Sequence, residues 1–502
     1  MDLSTESAQR LHESTKHGTP PTDPDRLVDF RRLDPANSPR PFKEYRGLDR
    51  IPLPRRLVDS SLSATSVLSG VVGEARPVDS PLLTTLLYLS AAVTRMVGPP
   101  ERRTYFRAAM SAGNLHPVEL YVVTGGIEGL EAGVYHFTPL EVALTRLRDG
   151  DFRSLLGADT PLAVVLTGIP WRTAWKYGER GFRHLYWDAG TMLANMAAVA
   201  DAHGVEHRTA IGFVDEDAAD LLGIDGVTEM PLAVILLGPS QGSEPPAPPQ
   251  PLPLTVDVAP VAPSPIRLPL LEDAQAGGVL EDDDVEAWRR RGPELARTVP
   301  TAVEPPDAGV DPIEQIILRR GSTRRMVHET VFRHHLDWPM AAATRAVGLD
   351  IAPKGTLLDH FVNVHAVEDM GAGTYHQTIN GPEVMGRVDS LREKSAALCL
   401  GQSLGGDSAY TAFHCAHLDL IFEALGPRGY RAAQFEAGVV SGRLALCAFA
   451  LGLGATGLTF FDDAVSRFFA TPAQPMLVTS VGVPVGGPAP SGSPGRPVLL
   501  RR

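Results

Sequence analysis

Several strings in this chain carry residues that could do chemistry. Ser111-Ala-Gly-Asn-Leu-His116 runs directly into Pro-Val-Glu-Leu-Tyr121. The small residues Ser111, Ala112 and Gly113 let a ligand come close to the backbone, and Asn114 and His116 offer hydrogen-bond donors. Arg320, Ser322 and Arg324 alternate within Arg319-Arg-Gly-Ser-Thr-Arg-Arg-Met326. Guanidinium forks fit a phosphate bidentately, and a serine hydroxyl adds one more bond. Lys176 and Tyr177 are neighbours in Arg172-Thr-Ala-Trp-Lys-Tyr-Gly-Glu-Arg-Gly-Phe-Arg183. Such a pair is usually a surface lysine beside a packing aromatic. Either member works as a general base only where its pKa is lowered. Thr456, Gly457 and Leu458 lie in a short string that can present backbone N–H groups, and Arg496 adds a cation in the C-terminal tail.

The elements that must hold these residues form a repeated pattern. A chain of 502 residues carries more than one domain. Residues 241–269 are dense in proline and lack an apolar period, so they predict an extended, semi-rigid connector. On either side, Arg180–Val205 and Arg428–Leu453 align without a gap at an offset of 248 residues. Arg180 falls on Arg428, Arg183 on Arg431, Asp188 on Glu436 and Gly190 on Gly438. Each run continues to an apolar segment with acids behind it, and Val122–Phe137 echoes Val362–Gln377. The chain therefore reads as a tandem duplication, with an extension at 1–45, one domain at 46–240 and another at 270–502. Residues 188–203 are apolar on nearly every face, which predicts a buried helix. Two such helices would sit at the centre of an intrachain pseudo-dimer. Strand-like runs alternate with helices in both halves, giving an α+β fold; residues 417–425 read as strand or helix.

Composition limits the function. The net charge is -13, from 46 Lys+Arg against 59 Asp+Glu, and there is no basic tract, which argues against nucleic-acid binding. No apolar run reaches the length of a membrane span, and the first residues are polar. The three cysteines, Cys399, Cys415 and Cys447, lie in apolar segments and predict buried free thiols in a reducing cytoplasm. No His/Cys spacing suggests a metal site.

The Ser111–Tyr121 string resembles the signature of SagB-type dehydrogenases, a branch of the FMN-dependent nitroreductase family. Lys176-Tyr177 resembles the pair which, in that branch, serves azoline-to-azole oxidation. Arg320-x-Ser322-x-Arg324 is similar to the wider family's flavin-phosphate motif, and Thr456–Leu458 to its loop past the flavin ring. Leu11–His17 and Pro41–Pro54 also resemble the branch's leader to its first domain. The resemblance implies Lys176 and Tyr177 as catalytic residues. It implies Ser111, Ala112, Gly113, Asn114, His116, Arg320, Ser322, Arg324, Thr456, Gly457, Leu458 and Arg496 as FMN contacts. It implies oxidation of thiazoline or oxazoline rings in a peptide, with O2 reoxidising the flavin and a cyclodehydratase complex as a further partner.

Each half departs from that pattern. Aligning Ser66 with Ser322 puts Ala64 and Leu68 where the second half has arginines. The 248 offset puts Ala424 and Leu425 where the first half has Lys176 and Tyr177, and Ala352–His360 shows no counterpart of the Ser111 string. In the family the flavin lies between two protomers. These complementary losses therefore predict one composite site and one FMN per chain. Two other readings share parts of this one: an NAD(P)H-dependent reductase of nitro compounds, quinones or unsaturated bonds, and a non-catalytic scaffold for a heterocycle-forming complex.

Overall fold

The computed structural model describes residues 3–18, 33–242, 247, 249 and 254–500. The first half holds helices α1 (Leu3–Ser14), α2 (Ala64–Leu68), α3 (Ser80–Ala91), α4 (Pro170–Tyr177), α5 (Gly181–Ala202) and α6 (Asp215–Leu222). Its strands are β1 (Tyr45–Arg46), β2 (Arg50–Pro52), β3 (Val93–Val97), β4 (Thr104–Arg107), β5 (Val118–Thr124), β6 (Gly133–Thr138), β7 (Ala143–Asp149), β8 (Leu162–Gly168), β9 (His207–Ala210) and β10 (Met230–Leu237). The rest of the chain adds β11 (Asp257–Val258), α7 (Pro269–Ala276), α8 (Asp282–Leu295), β12 (Arg297–Thr298), α9 (Ile313–Arg319), β13 (Met326–Val327), β14 (Gly355–Thr356) and β15 (Leu358–Val364). It closes with β16 (Gly373–Thr378), β17 (Gly381–Gly386), β18 (Tyr410–Ala416), α10 (Leu418–Ala450), β19 (Gly454–Leu458), α11 (Asp462–Phe468), β20 (Gln474–Pro484) and β21 (Val498–Leu500).

The duplication is visible strand by strand. The first sheet runs β2-β7-β6-β5-β8-β10-β9 and the second β17-β16-β15-β18-β20, with β19 and β13 on β20. Dropping β2 and β13 leaves one six-strand order, repeated. In the first half, alternate residues serve two cores, as the period of a strand requires. Leu120, Val122, Leu162 and Val164 face the main core, whereas Tyr121, Val123, Ala163 and Val165 face a smaller one closed by α6. The segment 417–425 is helical: it is the first stretch of α10, which breaks at Gly426 (φ 60°, ψ -158°). Gly178 breaks the first half at the matching place (φ 57°, ψ -145°), so α4 plus α5 correspond to α10.

α5 and α10 pack against each other at the centre. They cross where side chains vanish. A Cβ on Gly190 would lie 2.3 Å from Phe435 O, and one on Gly438 would lie 2.4 Å from Trp187 O. Reciprocal ion pairs seal the crossing. Arg180 (2.9 Å) and Arg183 (2.5 Å) from the first half hold Asp462 at the start of α11. Arg428 and Arg431 from the second half hold Asp215 at the start of α6. All six side chains are buried. The same two arginine positions and the same acid are thus used twice, in opposite directions, as in a twofold interface.

Chain segments also cross between the halves. β21 adds in parallel to β3, forming a three-stranded sheet with β4. Part of the proline-rich connector (243–246, 248, 250–253) lies outside the described residues. Its later residues are pinned: β11 pairs with β1, and Arg40 N donates to Val261 O. The three cysteines are free and buried. Among the described residues no helix is long and apolar enough to cross a membrane, and no group of His, Cys, Asp or Glu is arranged to hold a metal ion.

Removing one member of a buried ion pair leaves an uncompensated charge, at a cost of about 3–5 kcal/mol. Asp462→Asn should therefore lower the unfolding free energy by roughly that amount in denaturant titrations. The two arginines hold the Asp462 carboxyl far below the usual carboxylate range, against the opposing effect of burial. A depressed folded-state pKa gives stability that is complete above the unfolded value and lost as pH falls towards the folded one. Wild type should thus lose its advantage over Asp462→Asn on acidification below about pH 4.

Candidate cofactor cleft between the halves

A cleft of about 920 Å³ opens between the two halves, a size suited to a cofactor. From the first half it is lined by Arg95, Arg107, Ser111 and Asn114, and from the second by Arg319, Arg320, Ser322 and Arg324. The cleft thus joins part of the Ser111 string to the whole arginine motif. Asp311 is the only acid among the lining residues, and it is paired with Arg319 at 2.8 Å.

Arg320 is the C-cap of α9 and is buried. It donates to Ala108 O in the other half, and its Nε is buried with no partner. Burial and the neighbouring Arg95 lower its pKa to about 9. A cation buried this way is costly unless an anion meets it. Arg95, on β3, donates to the carbonyls of Leu318 and Arg320 and to Pro490 O, so the first half fixes the turn that carries the second half's arginines. Ser322 and Arg324 follow on this turn and are exposed. A phosphate monoester fits this donor set: an uncompensated buried guanidinium, a second arginine and a hydroxyl.

The Ser111 string forms a 3-10 turn at Ala112–Asn114, with Gly113 (φ 61°), Asn114 (φ 59°) and His116 (φ 47°) all left-handed. Ser111 Oγ accepts from His116 N at 2.8 Å. Asn114 donates to Tyr105 O at 2.8 Å and meets His116 Nε2 at 2.9 Å through its carbonyl oxygen. That oxygen only accepts, so Nε2 carries the proton. Burial and nearby arginines keep the His116 ring neutral. Asn114 and His116, expected as donors to a ligand, therefore brace the turn itself, and His116 is not in the cleft wall.

Lys176 and Tyr177 end α4 over this turn. A Cβ on Gly113 would lie 2.6 Å from Tyr177 Oη and 3.3 Å from Lys176 Nζ, so the glycine makes room for the pair. Tyr177 packs edge-on against His184 with ring centres 4.1 Å apart. Burial pushes Tyr177 up to about 12 and Asp188 adds to this, while Arg324 pulls the other way. The lowered pKa that a tyrosine base requires is therefore not found here.

Other expectations need correction. Thr456, Gly457 and Leu458 lie on strand β19, not in a loop, and do not line the cleft. β19 still touches the motif, because Thr323 N donates to Ala455 O at 3.0 Å. Arg496 is exposed on the tail, outside the cleft. The first-half position opposite the arginines also shifts. Ser63 and Pro312 occupy the N-caps of α2 and α9 and bridge to each other. Counting from them places Val71 and Ala75 opposite Arg320 and Arg324. Ser66 lies inside α2, bonded to Ser63 at 2.8 Å, so its match to Ser322 was a coincidence of residue type. The Ser111 string does have a partial counterpart. Asp188 accepts from Ala112 N at 3.0 Å, and Glu436 accepts from Leu357 N at 3.0 Å and from Thr356 Oγ1. What the second half lacks is the Gly113–Pro117 loop between this anchor and the strand.

The opposite interface differs. Trp288 of α8 donates to Leu425 O at 2.8 Å, and Val303 N donates to Ser69 O at 2.8 Å. Nearby, within the second half, a hollow of about 440 Å³ at Ala424 is lined by Arg291, Glu294, Glu423, Leu295 and Leu420. It offers no excess of positive charge. Arg95, His184 and Asp188 were not selected from sequence; only Asp188 left a signal, through its alignment with Glu436.

Residues 46–238 match the model of the Nitroreductase family. A crystal structure from Anabaena variabilis, described as of a nitroreductase, superposes on 95% of this chain and 99% of its own, with a TM-score of 0.72 and 26% identity. A protein of Methanocaldococcus jannaschii named as a nitroreductase is 28% identical over 168 residues, 32% of this chain and 82% of that protein. The microcin B17-processing protein McbC of Escherichia coli is 31% identical over 153 residues, 28% of this chain and 56% of its own length.

The buried, unpaired Arg320 makes a direct prediction. Arg320→Met should raise the melting temperature of the ligand-free protein and abolish the stabilisation that inorganic phosphate gives wild type. Thermal unfolding with and without phosphate measures both. An unchanged response to phosphate would contradict the assignment of the cleft as an anion site.

Proposed function

We propose that this chain is an FMN-dependent, SagB-type dehydrogenase that oxidises thiazoline or oxazoline rings of a peptide to azoles, with one FMN per chain. The observation that carries this reading is the seat of Lys176 and Tyr177 on Gly113, beside a cleft to which the other half contributes Arg320, Ser322 and Arg324. Arg320, Ser322 and Arg324 would hold the FMN phosphate, and the Ser111–Gly113 backbone would face the ring. FMN bound there would supply a two-electron acceptor for the azoline's hydride, with O2 as the terminal oxidant. Tyr177, kept protonated, donates to the azoline nitrogen, which makes the adjacent C–H more acidic. Lys176 would take that proton as the general base. The similarity to McbC, a microcin-processing protein, supports a peptide substrate and a cyclodehydratase complex as partner. The buried free thiols suit a reducing cytoplasm.

The nitroreductase-family match keeps an NAD(P)H-dependent reductase as the second reading. That enzyme would use the same cleft without needing Lys176 or Tyr177. Lys176→Ala and Tyr177→Phe should each keep flavin bound at one per chain, and each should slow azole formation by about 100-fold or more. Absorbance of the purified variants gives the stoichiometry, and turnover on an azoline peptide gives the rate. Full activity in both variants would favour the reductase, and a ratio near two would reject the composite site.

A further inference from the structure

The two halves carry an acid at the equivalent helix position, each accepting from the backbone before the equivalent strand, but use it differently. In the second half Glu436 spends both carboxylate oxygens, one on Thr356 Oγ1 and one on Leu357 N. The residue at the Tyr177 position there is Leu425, which has nothing to protonate. In the first half the acid is one carbon shorter. Asp188 Oδ1 accepts from Ala112 N at 3.0 Å, while Oδ2 is buried without a hydrogen-bond partner. Ala112 adjoins Gly113, against which the Tyr177 hydroxyl sits. His184, one helical turn before Asp188 on α5, packs on the Tyr177 ring, so Asp188 lies on the same face of α5 as the residue that touches the tyrosine. The acid in the half that has the tyrosine thus makes one backbone bond and lies within reach of the Ser111 hydroxyl, whereas the acid in the other half is bonded through both oxygens.

The geometry points to Asp188 as the positioning residue for Tyr177, the acid whose negative charge keeps the phenol proton in place. This rests on the dehydrogenase reading only in giving that proton a catalytic use. The charged groups around the pair are known. Arg107 from β4 and the Ser111 hydroxyl act on Asp188. Arg324 from the other half acts on Tyr177, and Lys176 Nζ lies 5.2 Å from its ring centre. His184 is kept neutral by burial and by Arg180 and Arg183. Burial raises the Asp188 carboxyl to about 7, against the pull of Ser111, the Ala112 amide and Arg107. The acid therefore changes charge near neutrality. A negative charge nearby disfavours tyrosinate, so removing it must lower the Tyr177 pKa.

The test places 3-fluorotyrosine at position 177 of the full chain and follows its ionisation by fluorine NMR, with Asp188→Asn compared against the otherwise unchanged protein. The titration midpoint should fall by about one pH unit, a tenfold easier ionisation. Asp188→Ser, which keeps a hydroxyl acceptor for the Ala112 amide, should give the same shift and guards against misfolding of the first variant. The alkaline limb of kcat/KM against pH should move to lower pH in both. A merely structural role would lower activity without moving either midpoint, and unmoved midpoints in both variants would overturn the proposal. The NMR readout needs no azoline substrate. A shift there without azoline turnover would spare Asp188 and sink the dehydrogenase reading instead.

Discussion

The structure depends on a charge constraint met twice. Asp462 cannot be buried alone, and neither can Arg180 and Arg183. Each becomes affordable only when the two halves close on each other, and the same holds for Asp215 with Arg428 and Arg431. Because the acid of one pair lies in the half that supplies the arginines of the other, both pairs must form together or not at all. The glycines at the helix crossing then let the backbones approach closely enough for these side chains to reach. A cleft that draws its walls from both halves is a consequence of that closure.

Duplication within one chain removes a requirement that a homodimer cannot escape. In a homodimer every residue serves two equivalent sites. Here each position serves one, and the two interfaces have diverged in complementary ways. The second half keeps the arginines of the α9 turn, held in place by Arg95 of the first. The first half keeps the loop over which Lys176 and Tyr177 sit. At the other interface, α8 packs on Leu425 and residues after β12 pack on the end of α2. The asymmetry is therefore one of packing as well as of residue type.

The duplicated core was legible in the sequence because the gap-free match from Arg180 to Val205 encodes both the buried helix and its ion pairs. The arginine motif stood out by its alternation, and the structure places all three of its residues in the cleft wall. Other features were not. Ser66 matched Ser322 by residue type, yet it is a helical residue bonded to its own N-cap, and helix starts are set by capping geometry that a residue match does not reveal. Asn114 and His116 looked like ligand donors, but each is spent on the turn, because left-handed backbone at both positions needs local hydrogen bonds to hold it. The strand character of Thr456–Leu458 was masked by its glycine. Arg95 gave no signal in a strand-like run, because its importance comes from carbonyls more than two hundred residues away. The direction of the Tyr177 shift followed from burial and from Asp188, neither of which a Lys-Tyr dipeptide discloses.

The central claim is that the two halves together build a single flavin site. A crystal structure of the protein grown with FMN tests it most directly. The account predicts one flavin, its phosphate on Arg320 and Arg324 and its ring against Ser111–Gly113. Flavin density at the interface beside Trp288 and Leu425, or a phosphate bound away from Arg320, would contradict it.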